Sequence, residues 1–169
     1  LKDPIALLDA FQIIERRRRG EFMLLLCGPK SSELDIESEI ERRGLSGSSV
    51  LLPPIPFDAA TSLLSAVRKA NGIFVSPSRG ESFGLSAAEA ISSLLPPVLS
   101  NIDAHLDFVG DASDLFIFPI GDMNALASRI EYLFDNHVAT ENVLRKLRSN
   151  FSAERFISGW VTLLNEALG

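Results

Sequence analysis

Short apolar runs separated by longer amphipathic stretches constrain this chain more than any other feature of its sequence. The runs fall at residues 22–27, 50–52, 72–76, 97–100 and 115–118. Stretches of helical character lie at 4–15, 33–43, 59–70, 85–94 and 123–134. Strand-length segments alternating with helix-length ones predict parallel strands joined by crossover helices. The run Met23-Leu24-Leu25-Leu26 shows no polar alternation, which predicts a strand covered on both faces. Beyond Met123 the pattern is wholly helical, at 124–134, 137–149 and 152–168. There is no internal repeat and no low-complexity linker. The expectation is one α/β domain spanning 1–169: a doubly wound parallel sheet, helices on both faces, and a helical C-terminal tail.

Composition narrows the classes of partner. A length of 169 residues suits one domain with its own core. The net charge of −6 argues against a nucleic-acid binder, which would carry a basic excess. No apolar run approaches the roughly 20 residues of a membrane-spanning helix. The chain opens without Met inside a helical pattern and shows no signal peptide, so it is expected to be a piece with a partner segment upstream. The single cysteine, Cys27, cannot form an internal disulfide and reads as a buried, inert thiol compatible with a reducing cytoplasm. The basic block Arg16-Arg17-Arg18-Arg19 reads first as a solvated helix end that meets the helix dipole favourably. An anionic membrane surface is the lesser reading.

In open parallel sheets, ligands collect at the carboxyl ends of the strands, in loops that lead into helices. Three loops qualify: 27–30, 53–57 and 77–84. The third is the most informative. Gly80 and Gly84 bracket it, and a helix begins near Leu85, so free N–H groups at Gly84, Leu85 and Ser86 face the loop mouth. Such a mouth suits a diphosphate. The dipole alone contributes about 0.3–1 kcal/mol per charge, so other contacts must supply most of the affinity. Glu81 sits ahead of this mouth, and Glu89 about one turn in, roughly 6 Å along the axis. Ionised carboxylates only accept hydrogen bonds, so hydroxyl-rich sugar groups rather than phosphates suit them. On spacing alone, a surface loop charge and an ordinary helix residue explain the pair equally well.

The stretch 72–90, GIFVSPSRGESFGLSAAEA, resembles the signature of family 4 retaining glycosyltransferases with the GT-B fold. Its marks are two glutamates separated by seven residues and a Phe-Gly-Leu turn after the first. The segments 98–105, 109–112 and 119–122 resemble later landmarks of that family, and Lys2-Asp3-Pro4 resembles the end of its first loop. The resemblance covers nearly the whole chain. It implies the Rossmann-like C-terminal, donor-binding domain of a two-domain enzyme, whose N-terminal half and first strand are missing from this sequence.

What the resemblance implies is specific. Glu81 is the expected catalytic residue, meeting donor-sugar hydroxyls and placing the anomeric carbon. Lys2, Ser82, Phe83, Gly84 and Leu85 are expected to bind sugar and diphosphate, Lys2 by neutralising the leaving group. Glu89 is expected to bind the ribose, and Pro54, Ile55 and Pro56 to support the base. The donor is a UDP- or GDP-sugar, with mannose or glucose suggested by resemblance only, and the acceptor a hydroxyl of a glycan or lipid-linked glycan. The enzyme is expected to be cytoplasmic, with peripheral membrane association as an option, and to contact its own N-terminal acceptor domain.

No metal or other cofactor is expected. The sequence has no Asp-x-Asp pair, and His105 and His137 stand without ligand spacing. His137 reads as structural. His105 reads first the same way, with a place bordering the site as the lesser reading. One departure from the family pattern is local: Leu94-Leu95 stand where a glycine is usual, so the helix exit there should differ and the next strand start late. Two alternatives stay open, a nucleotide-sugar epimerase on the GT-B plan and a non-catalytic nucleotide-sugar-binding module. A dinucleotide-binding dehydrogenase is disfavoured, because no Gly-x-Gly-x-x-Gly follows a strand.

Overall fold

The computed structural model describes residues 2–30 and 32–149, so the helix expected at 152–168 lies outside the described residues. Helix α1 (Pro4–Arg17) starts with proline in its first turn, where a missing N–H costs nothing. Asp3 caps it by accepting from the Ala6 N–H at 3.0 Å. Then follow β1 (Leu24–Cys27), α2 (Ile36–Arg42), β2 (Ser49–Leu52), α3 (Phe57–Lys69), β3 (Phe74–Ser76), α4 (Leu85–Ser92) and β4 (Pro97–Ser100). The chain continues through α5 (Asp103–Val109), a 3₁₀ turn, α6 (Ser113–Phe116), β5 (Ile117–Phe118), α7 (Met123–Asp135) and α8 (His137–Arg148).

All strand pairs are parallel, as expected, but they form two sheets. One pairs β1 with β2; the other has the order β3-β4-β5. Among the described residues β1 and β3 each pair along one edge only. One apolar core nevertheless runs through both halves and includes Leu8, Phe11, Ile14, Leu99, Phe116 and Leu133. Helix α1 lies chiefly against α7. Each fully buried side chain of this size contributes about 1.5–3 kcal/mol.

Several expectations need correction. The strand β4 is covered at all four positions, but β1 is not: Leu25 and Cys27 are exposed, because a two-stranded ribbon offers too little area to be sandwiched. Cys27 is therefore no core thiol, and its Sγ donates to the Pro53 carbonyl at 3.3 Å. Nor is the arginine block merely solvated. Arg17 pairs with Glu131 on α7 at 3.0 Å, and Arg18 with Asp135 at 2.9 Å while lying over the Phe22 and Phe134 rings. It fastens α1 to α7. No helix among the described residues is long and apolar enough to cross a membrane.

Helix exits follow one rule with three residues. In α2, α3 and α4 the second residue after the helix is left-handed: Gly44 (φ 70°), Asn71 (φ 55°) and Leu94 (φ 56°). Each closes the same pair of bonds, for α4 from Leu94 N–H to Ile91 O at 2.9 Å and from Leu95 N–H to Ala90 O at 2.9 Å. Glycine adopts this conformation freely and leucine does not. Leu94 is nonetheless held there because its side chain is buried in the core. The altered exit therefore keeps the usual geometry, and β4 begins at Pro97 without delay.

Candidate functional site

The carboxyl ends of β3, β4 and β5 lie on one side of their sheet, and the loop 77–84 leaves β3 there. Gly84 is the N-cap of α4 with φ 77°, and no side chain caps the helix. Ala87 and Ala88 donate back to the Gly84 carbonyl, which leaves the N–H groups of Leu85 and Ser86 without an intrahelical acceptor. Both residues are exposed, so the mouth is open. Glycine is required here twice over. A left-handed residue favours it, and a Cβ would stand 3.0 Å from Cε2 of Phe108 and 3.5 Å from Cδ2 of His105.

Lys2, just ahead of α1, reaches this loop. Its Nζ lies 2.5 Å from Oε1 of Glu81, and beside it Arg79 pairs with Asp3 at 2.7 Å. Lys2, Gly80, Glu81 and Ser82 line an open depression of about 470 Å³. Phe83 projects into solvent while its ring meets Phe108 edge-on, with centroids 5.1 Å apart. Glu89 is half-buried on α4, and its carboxylate takes no hydrogen bond from any described residue. The structure thus brings Lys2, Glu81, Ser82, Gly84 and Leu85 to one helix mouth. Pro54, Ile55 and Pro56 form the separate turn between β2 and α3, exposed at both prolines, and are not among the residues that line this depression.

A buried polar cluster supports Glu81 from below. Ser78 Oγ donates to Glu81 Oε1 at 2.7 Å, and Ser76 Oγ lies 3.2 Å from Ser78 Oγ. Ser100 Oγ donates to the Ser78 carbonyl, and His105 Nδ1 lies 3.0 Å from the Ser100 carbonyl and 3.2 Å from its hydroxyl. Ser76, Ser78, Ser100 and His105 are all buried. Burial pushes the Glu81 carboxyl up. The hydrogen bonds from Lys2 and Ser78, with the charges of Lys2 and His105, outweigh it and hold Glu81 below the ordinary carboxylate range. Burial also dominates at His105 and holds it below the ordinary imidazole range, against the Ser100 carbonyl and Glu81, which favour the charged ring. His105 Nε2 is buried with no partner among the described residues, a deficit that costs about 1–3 kcal/mol.

The serines and His105 were the residues that sequence reasoning passed over or ranked low. Helix α5, which carries His105, was missed as well, because Ile102 supplies no polar cap and the helix has seven residues. The signal was present in the i, i+3, i+4 spacing of His105, Phe108 and Val109, all buried. A second cavity, of about 410 Å³, lies away from this mouth between Arg68, Asn71, Leu94 and His137, and contains none of the expected site residues. Among the described residues no group of three or more His, Cys, Asp or Glu side chains gathers as a metal site would.

The chain is 32% identical over 130 residues to the O-antigen chain mannosyltransferase B of Escherichia coli, covering 76% of this chain and 32% of that protein. It is 34% identical over 101 residues to the lipopolysaccharide core biosynthesis mannosyltransferase LpcC of Rhizobium leguminosarum bv. viciae, covering 57% and 29%. The chain therefore spans about a third of the length of these relatives. Among solved structures, the catalytic domain of cholesterol-alpha-glucosyltransferase from Helicobacter pylori superposes with a TM-score of 0.72 at 19% identity, over 88% of each chain. HepE of Anabaena, solved with UDP, gives a TM-score of 0.76 at 18% identity, over 99% of this chain and 45% of that one. These structures fix the fold as that of GT-B glycosyltransferases. Residues 1–154 match the model of the family described as glycosyl transferases group 1, and the chain belongs to that family.

Proposed function

We propose that this chain is the donor-binding domain of a retaining glycosyltransferase that moves a hexose from a UDP- or GDP-sugar to a hydroxyl of a glycan or lipid-linked glycan. The observation that carries the reading is the Lys2–Glu81 pair at the uncapped N-terminus of α4. A cation and free amides suit a diphosphate. A carboxylate between them suits the sugar attached to it. Solved relatives of the fold were obtained with UDP and with UDP-glucose, which supports a nucleotide-sugar donor.

In this reading the diphosphate lies against the Leu85 and Ser86 amides, Glu81 orients the sugar, and Glu89 takes the ribose hydroxyls. Charge developing on the leaving diphosphate meets Lys2 and the α4 terminus, both set in place before reaction, so no metal is assigned a part. The acceptor enters from an N-terminal domain. The chain alone is then expected to bind donor weakly and transfer nothing. Turnover of the complete enzyme tests the assignment: Glu81→Ala should lower it at least tenfold, and a near-native rate would remove Glu81 from the chemistry.

A further inference from the structure

We infer that Ser78 is a positioning residue for Glu81, held in register by Ser76, Ser100 and His105, so that Glu81 keeps Oε2 for the sugar. The inference deepens the proposed function and rests on it for the identity of the sugar. Its geometry stands independently. Glu81 Oε1 takes both the Lys2 and the Ser78 bond, whereas Oε2 takes none from any described residue. The carboxylate is thereby fixed in rotation, with one oxygen committed and one available beside the depression lined by Lys2, Gly80 and Ser82.

The proton of each supporting group can be placed. Ser78 spends its one hydroxyl proton on Glu81, so Ser76 donates to Ser78. Ser100 spends its proton on the Ser78 carbonyl, which pins the backbone that carries the Ser78 side chain. The Ser100 carbonyl only accepts, so Nδ1 of His105 carries the imidazole proton and Nε2 is the bare nitrogen. Leucine would fill the His105 site without leaving Nε2 unsatisfied. What histidine adds is the Nδ1–H bond that orders Ser100. Four buried polar side chains, joined one to the next and reaching the Glu81 carboxylate through Ser78, are a device for holding that carboxylate rather than for cohesion.

The test titrates Glu81 in the chain by carbon-13 NMR of its side-chain carboxyl, with no donor present. The titratable groups facing Glu81 are Lys2, which is charged, and His105, with the Arg79–Asp3 pair alongside. Ser78→Ala should raise the titration midpoint by about one pH unit. Ser78→Cys, which keeps the size with a weaker donor, should fall between. His105→Leu should shift it in the same direction without loss of thermal stability, and His105→Asn, which can restore the donor to Ser100, should return it toward wild type. In the complete enzyme Ser78→Ala should lower kcat roughly tenfold with little change in donor KM, and the acid limb of the pH profile should move up with the NMR midpoint. Unchanged midpoints in Ser78→Ala and His105→Leu would overturn the inference, as would activity losses that simply follow stability. Because the titration needs no nucleotide-sugar, its failure is distinct from a failure of donor binding.

Discussion

Strand β4 is buried at every position, its serine included, whereas β1, the more apolar in sequence, exposes Leu25 and Cys27. The contrast extends to the loops that follow. The loop after β3 is tied to its surroundings by Ser78, Ser100 and Lys2, and the helix it opens is pressed at Gly84 against Phe108 and His105. After β1, Gly28 has nothing within 4 Å of where a Cβ would stand. A polar network can be held rigid only where packing surrounds it, because each buried hydroxyl must find its partner or cost the molecule free energy. The three-stranded half provides that surround. The two-stranded half supplies a sparser frame in which the Pro54–Pro56 turn sits in solvent.

This difference can be broken by paired substitutions. The largest effect is expected from apolar truncation. Leu99→Ala, at a fully buried position, should cost about 2–5 kcal/mol, and Leu25→Ala, 42% exposed, less than about 1 kcal/mol. Urea denaturation of both variants reads the comparison, and equal losses would show that the halves are packed alike. Next come the glycines. Gly84→Ala should cost about 2 kcal/mol through its positive φ and its approach to Phe108, while Gly28→Ala should stay within about 0.5 kcal/mol.

A smaller effect depends on pH. Burial holds the folded His105 pKa below the ordinary value of 6.5, so the unfolded chain binds a proton there that the folded chain does not. Stability is full above about pH 6.5 and falls as pH drops below it. Glu81 adds a second loss at lower pH. Its folded pKa is also depressed, so its contribution is present above the unfolded value near 4.3 and disappears as pH falls through the folded one. His105→Asn should remove the first slope and leave the second, as seen in denaturation midpoints across the acid range. A wild-type slope retained in that variant would place the titrating group elsewhere.

Much of the α4 mouth was legible in the sequence, because a glycine before a helix start and a glutamate three residues earlier signal it locally. The environment of Cys27 was not, since exposure of an apolar strand depends on how many neighbours the sheet finds. The role of His105 was hidden for a related reason. Its partner Ser100 ends β4, the Ser78 that Ser100 holds lies just beyond β3, and only the register Ser76↔Leu99 brings those strand ends together. Leu94 was flagged for its identity, but its left-handed backbone is set by the Ala90 and Ile91 carbonyls and by burial, which outweigh a local preference.

The central claim, that the α4 mouth with Lys2 and Glu81 grips the donor, is tested most directly by following backbone amide resonances while UDP-glucose or GDP-mannose is added to the chain. The account predicts saturable shifts at Leu85 and Ser86 with one of the two, weakened by Lys2→Ala. Shifts absent from those amides with both donors, or gathered instead around Arg68 and His137, would contradict it.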